Sequence, residues 1–256
     1  MHRKEDLWMN QPRIKSSTIK PKPSETPSRT QLLQAALHLI GVQGYSATSV
    51  DQICQRAGVT KGSFFHHFTS KDDLALEAVA YWEQEMTALY AAANYNQATD
   101  PLDRLLGYLD LRAAHLSGEL ADSTCPMGAL VQECYSTHAE IRVACERAMS
   151  AHAAVLARDV AAAKRLYAPH ARWNAESIVN FIEAALQGAF VLAKAKQSPE
   201  VVRDDIKHLS RYLRLLFHSA SNFTDVSALE FSAVQSSKPE EEAAEDSAPL
   251  QSHFVD

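Results

Sequence analysis

Glycine and proline are scarce in this chain. Its 256 residues hold eight of the first and ten of the second, and six of the prolines lie in residues 1–27 or in the last eighteen. Between Ser28 and Ser221 only Pro101, Pro126, Pro169 and Pro199 interrupt long Ala- and Leu-rich segments. Punctuation this sparse predicts an all-α protein. The four cysteines form no Cys-x-x-Cys pair and no Cys/His metal spacing, which argues against structural zinc. No secretory h-region occupies the first twenty-five residues, and no stretch approaches the roughly eighteen apolar residues of a membrane span. The expectation is therefore a cytoplasmic protein with no membrane contact. Also missing are GxSxG, HExxH, a phosphate loop and any recognisable pair of catalytic carboxylates. No enzyme activity, metal or cofactor is expected.

Net charge is −6, which by itself argues against a nucleic-acid partner. Its distribution argues the other way. Residues 1–75 hold ten Lys/Arg against six Asp/Glu, whereas residues 222–256 hold one against eight. Positive charge is thus expected near the N-terminal motif, and steering follows the local field rather than the total. Arg13, Lys15, Lys20 and Lys22 make residues 1–25 a basic arm, to be weighed against an extension of no special role. The run from Glu240 to Asp246 marks residues 221–256 as an acidic, disordered tail.

What is present is concentrated in Ser49–Phe68, SVDQICQRAGVTKGSFFHHF. Ser49 sits three residues before Gln52, the capping-box spacing, and Val50, Ile53, Cys54 and Ala57 repeat at helical intervals. Gly58 follows the last of these, where a left-handed stop favours glycine. Thr60 caps a second helix that opens with Lys61, Gly62, Ser63 and Phe64. Phe64 and Phe68 are read as core, Val59 as the anchor of the turn. The N-terminal residues of such a second helix are those that reach base edges and phosphates. His66 and His67 cannot share a helical face, so one is expected at DNA and the other in packing, with the choice open. Upstream, Leu33, Ala36, Leu37 and Ile40 form an apolar stripe that Gly44 ends. Downstream, Ser70 and Asp73 cap a helix carrying Leu74, Leu76 and Val79.

Residues from about Arg29 to Tyr81 resemble the DNA-binding domain of the TetR family of repressors. The resemblance rests on Gly44-Tyr45, Thr48-Ser49-Val50, Ile53, Ala57-Gly58-Val59, Lys61-Gly62-Ser63, and His67-Phe68 through Ser70-Lys71 to Leu74. It implies a three-helix DNA-binding domain over residues 26–81 and a helical ligand-binding and dimerisation domain over 82–220. The implied DNA-contacting set is Ser49, Thr60, Lys61, Gly62, Ser63, Phe65, His66, His67 and Lys71, with Lys71 on a phosphate. Family members carry tyrosine at the position of Phe65, and that phenol bonds a phosphate; Phe65 cannot donate such a bond.

Beyond Tyr81 helices are expected at about 102–117, 127–135, 138–167, 174–196 and 200–219, with Thr137–Glu140 as a capping box and Ser198-Pro199 as another start. Aromatic walls with a few polar anchors suit a small-molecule pocket. Trp82, Tyr90, Tyr108, Arg112, His115, Cys125, Tyr135 and Trp173 are its candidate residues, each with ordinary packing as the alternative. The last two helices carry apolar stripes that include Ile178, Phe181, Ala185, Leu209 and Leu213, with Gly188 allowing close approach. They bury within one chain or, as the resemblance implies, form a four-helix bundle with a second copy. The expected partners are a double-stranded operator carrying an inverted repeat, a small-molecule effector and a second subunit. An alternative keeps DNA binding but gives sensing to a reactive thiol at Cys125, at an expected helix start. A helical enzyme is the remote third reading.

Overall fold

The computed structural model describes residues 26–116 and 125–218; the basic arm and the acidic tail lie outside the described residues. Among the described residues there are nine α-helices, one 3-10 turn and no strand. The helices are α1 (Pro27–Gln43), α2 (Val50–Ala57), α3 (Lys61–His67), α4 (Lys71–Ala91), α5 (Pro101–Ala114), α6 (Pro126–Cys134), α7 (Ala139–Tyr167), α8 (Ala175–Lys196) and α9 (Glu200–His218). The 3-10 turn, Asn94–Gln97, separates α4 from α5.

Local chemistry sets most of these ends. Pro27, Pro101 and Pro126 each occupy the first turn of a helix, where a missing amide proton costs nothing. Asp100 accepts from the Leu102 amide at 2.8 Å and Asn174 from the Ser177 amide at 2.7 Å, capping α5 and α8. The expected box at Thr137 and Glu140 does not form. His138 is the N-cap of α7 without a side-chain bond to the helix, and the Thr137 hydroxyl lies 2.8 Å from His138 Nδ1 instead. At α9 the carbonyl of Pro199 accepts from the Val202 and Arg203 amides, so the helix opens directly after the proline.

Two cores result. The smaller joins Leu32, Leu33, Ala36, Ile53, Phe64, Phe68, Leu74 and Ala78 inside the α1–α4 unit. The larger is built from α5 to α9, yet it also takes in Ile40 and Tyr45 from the α1 end and Ala75 and Val79 from α4. The expected domain boundary at residue 81 therefore falls inside one continuous helix, with no linker there. Helix α8 also corrects the membrane reading, because its length and composition would suffice to cross a bilayer. Its apolarity has a local explanation: Ile178, Ile182, Leu186, Ala189 and Phe190 are all buried in the larger core.

The two parts are stapled where α1 ends. Gly44 has φ +87°, outside the range side chains favour, and turns the chain so that the next two amides converge. The Tyr45 and Ser46 amides donate to the Glu133 carboxylate of α6 at 2.9 and 2.8 Å. Burial opposes charge on Glu133, but these bonds and nearby Lys71 hold its carboxyl below the usual range. Lys194 of α8 donates to the Gly41 carbonyl at 3.0 Å, and the Tyr45 hydroxyl donates to Asp72. His138 packs edge-on against the Tyr45 ring with centroids 5.3 Å apart.

This geometry ranks two glycines. A Cβ at Gly44 would lie 2.2 Å from Glu133 Oε1, whereas one at Gly58 (φ +68°) would meet nothing within 4 Å. Gly44→Ala should cost about 1–3 kcal/mol and Gly58→Ala about 1–2 kcal/mol, measured by urea denaturation. Adding Glu133→Ala to Gly44→Ala should cost less than Glu133→Ala alone, because in that background it also relieves the collision.

Candidate DNA-reading surface and effector cluster

The reading unit forms as its sequence chemistry dictates. Ser49 Oγ accepts from the Gln52 amide at 3.2 Å while Gln52 Oε1 accepts from the Ser49 amide at 2.9 Å, a complete capping box. Gly58 ends α2 in the left-handed conformation. Thr60 Oγ1 then accepts from the Ser63 amide at 3.2 Å and starts α3. Phe64 and Phe68 are buried, so the opposite face of α3 turns outward with Lys61, Gly62, Phe65 and His66 exposed. Phe65 keeps 57% of its surface accessible.

Three details alter the sequence-based picture. Lys61 is paired with Asp51, Nζ to Oδ1 at 2.7 Å, an exposed pair that a phosphate can displace. His67 turns inward, with Nε2 2.9 Å from Ser28 Oγ, while His66 remains outside; this settles which histidine packs. Burial, then neighbouring His66, lowers the His67 pKa. Lys71 is the clear departure. Its ammonium donates to the Tyr45 and Thr48 carbonyls at 3.1 Å each and sits 4.1 Å from the Tyr45 ring centroid. Without DNA, Lys71 thus acts as a staple of the loop between α1 and α2. The charge argument also shifts: residues 26–75 carry four Lys/Arg against three Asp/Glu, and residues 1–25 six against three. Most of the positive excess thus belongs to the arm.

Of the expected pocket residues, the structure gathers Tyr90, Tyr108 and Arg112. They meet His152 and Glu183, which the sequence reading did not single out. Arg112 Nη1 donates to the Tyr90 hydroxyl at 2.9 Å and the Tyr108 hydroxyl at 3.4 Å. Tyr108 Oη lies 2.9 Å from His152 Nε2 and 3.4 Å from Glu183 Oε1. The Tyr90 and His152 rings stack at 4.6 Å. Burial, then the Arg112 charge, pushes the His152 pKa down to about 4, and burial pushes that of Glu183 up. Cys125 is buried at the N-cap of α6 without bonding the helix, and with Phe190, Gln187, Glu133 and Lys194 it lines a cavity of about 340 Å³ beside Ile40–Gly44.

The other pocket candidates scatter. Tyr135 is 63% exposed, Trp173 packs edge-on against Phe217, His115 bonds the Leu111 carbonyl of its own helix, and Trp82 is half-buried against the larger core. Periodicity places residues on a helix but does not say which distant helix they face.

Comparison with known proteins decides the family. A model of bacterial regulatory proteins of the tetR family matches residues 32–78, and one of tetracyclin repressor-like C-terminal domains matches residues 101–209. The HTH-type transcriptional regulator LmrA of Bacillus subtilis (strain 168) is 31% identical over 129 residues, which cover 50% of this chain and 68% of LmrA. The chain belongs to the TetR family. It is a helix-turn-helix, DNA-binding transcription regulator. The uncharacterized HTH-type regulator YxaF of the same strain is 27% identical over 171 residues, 66% of this chain and 86% of YxaF. A crystal structure of regulatory protein TetR from Rhodobacter sphaeroides shares the fold, with a TM-score of 0.66 at 22% identity over 73% of this chain and 98% of that one.

In this TetR-family chain, half of the expected pairing surface is internal. Ile178, Leu209 and Leu213 are buried between α8, α9 and their neighbours, and Ala185 is half-buried. Phe181 and Gly188 do face outward, together with Leu192, Tyr212 and Leu215, and Phe181 and Tyr212 meet at 5.0 Å. The stripes are two-sided, and the spacing rule identified the inner side more readily than the outer.

Two outcomes follow. Lys61→Ala should reduce the log–log salt slope of DNA binding by about one per bound subunit, whereas Lys71→Ala should leave the slope unchanged and lower the denaturation midpoint. Acid should weaken the fold through His152: between about pH 6.5 and its folded value of about 4, the unfolded chain takes up a proton that the folded one resists. Glu183 acts oppositely, because its raised pKa favours protonation in the folded state. His152→Gln should therefore lose less stability than the wild type between about pH 6.5 and pH 5, read from urea midpoints.

Proposed function

We propose that the protein is a homodimeric repressor that binds an inverted-repeat operator through α3 and leaves it when a small molecule occupies the α5–α9 domain. The observation that carries this reading is the outward face of α3, capped by the Thr60 side chain and backed by two buried phenylalanines, with Lys61, Gly62, Phe65 and His66 presented together. A single seven-residue helix reads too little sequence alone. Two copies related by a two-fold axis would enter major-groove faces about 34–36 Å apart.

The outward patch of Phe181, Gly188, Leu192, Tyr212 and Leu215 supports pairing through α8 and α9. Tyr90, Tyr108, Arg112, His152 and Glu183 supply the polar anchors of an effector site. The cavity beside Ile40–Gly44 lies on the same helices that hold the reading unit. An effector acts through its differential affinity for the operator-bound and released forms. The basic arm would add phosphate contacts, and the site of action is the cytoplasm, where the operator is.

Purified protein should bind a duplex from its own upstream region and release it with at least one small metabolite. A protein that binds no duplex, or binds all with equal affinity at physiological salt, would rule out the reading. Paired substitutions Phe181→Glu and Leu215→Glu should convert a dimer into a monomer in sedimentation velocity and reduce operator affinity at least tenfold, without changing the helical circular dichroism.

A further inference from the structure

The polar cluster between α4, α5, α7 and α8 holds a guanidinium whose bonding is incomplete. Arg112 is partly buried among the surrounding helices, and its guanidinium carbon lies 5.4 Å from the Phe190 ring centroid and 6.0 Å from that of Tyr108. Among the described residues only Nη1 donates to protein acceptors, and both of those are tyrosine hydroxyls. Among the described residues no carboxylate oxygen comes within 4.0 Å of the guanidinium. Glu183, the nearest acid in the cluster, instead meets His152 at 3.6 Å and Tyr108 at 3.4 Å. Nε and Nη2 form the side-on edge of a guanidinium, two parallel donors spaced to match the two oxygens of a carboxylate. A charge so placed gains most from an anion, because the surroundings screen it weakly.

Resting on the effector-release reading above, we propose that the effector is a small organic carboxylate, seated side-on against Nε and Nη2 of Arg112 with its apolar part against Phe190. With the Glu183 carboxyl already in the cluster, a singly charged anion meets less repulsion there than a phosphate dianion. The planar donor pair selects a planar acceptor pair. Phe190 serves the organic part, and with Cys125 it also lines the cavity that reaches Ile40–Gly44, where Lys194 and Glu133 hold the reading unit. Occupation of Arg112 is thereby linked to the staple at the end of α1.

The test uses the full chain and two matched probe pairs, benzoate against benzamide and hexanoate against hexanamide. Binding is measured by calorimetry without DNA, and release of the upstream duplex is measured separately. At least one acid should bind ten times more tightly than its amide or better. Arg112→Gln should abolish that preference, and Arg112→Lys, which keeps the charge without the paired donors, should lose most of it. Glu183→Gln removes the competing carboxylate, keeps the amide in place of the acid, and should tighten acid binding several-fold; it also serves if the Arg112 variants do not fold. The proposal is overturned if acids and amides bind alike, if neither acid binds at millimolar concentration, or if Glu183→Gln leaves acid affinity unchanged. Arg112-dependent acid binding without DNA release would sink the release reading and leave the site standing. Release by uncharged compounds with no acid preference would sink this inference alone.

Discussion

The Glu133 carboxylate, receiving the amides of Tyr45 and Ser46, is the contact on which the relation between the two halves depends. Those two amides begin the loop that carries α2, and they have no helical partner of their own. Two charge-assisted bonds to one carboxylate fix a loop more firmly than apolar contact could, because they specify direction as well as distance. The same corner gathers Lys71 on two carbonyls, Tyr45 on Asp72, and Lys194 on the Gly41 carbonyl. Gly44 is part of the device, since any side chain there would occupy the space of the carboxylate.

From that corner the chemistry runs in two directions. Toward DNA, short capped helices display a small patch whose geometry is set by backbone bonds rather than by long flexible side chains. Toward the effector domain, the cavity beside Ile40–Gly44 and the Arg112 cluster share α8, with Phe190 belonging to both. A shift of α8 or α6 by a fraction of a helical turn would therefore be felt at the loop carrying the reading unit. Packed interiors pass such displacements on rather than absorb them.

Local features were legible in the sequence. The Ser49 box, the Gly58 stop, the Thr60 and Ser70 caps and the buried pair Phe64 and Phe68 are all written in spacings of a few residues, and they formed as expected. The ends of the later helices also fall within three residues of where proline and capping residues placed them. Features that join distant segments were hidden. Lys71 reads as a surface cation until the Tyr45 and Thr48 carbonyls are seen beside it. Nothing near Glu133 in sequence hints at an amide pair 88 residues away. His152 and Glu183 sit on helices whose apolar pattern gives no sign that their polar heads turn inward. On α8 and α9 an apolar residue on either side of the stripe reads alike, so spacing does not separate the buried Leu209 and Leu213 from the outward Phe181.

The reading head borrows Ile40, Tyr45, Ala75 and Val79 from the same core that supports α6 to α9. Its surface chemistry and that of the sensing half are consequently tied during evolution: a substitution in one must fit the other's side chains. Chimaeras joined within α4, the obvious place to exchange operator preference between relatives, would bring together interior faces that never co-adapted. A graft that also carried α6 and α7 would bring more of that seam with the head, leaving the Lys194 bond to the Gly41 carbonyl to be matched.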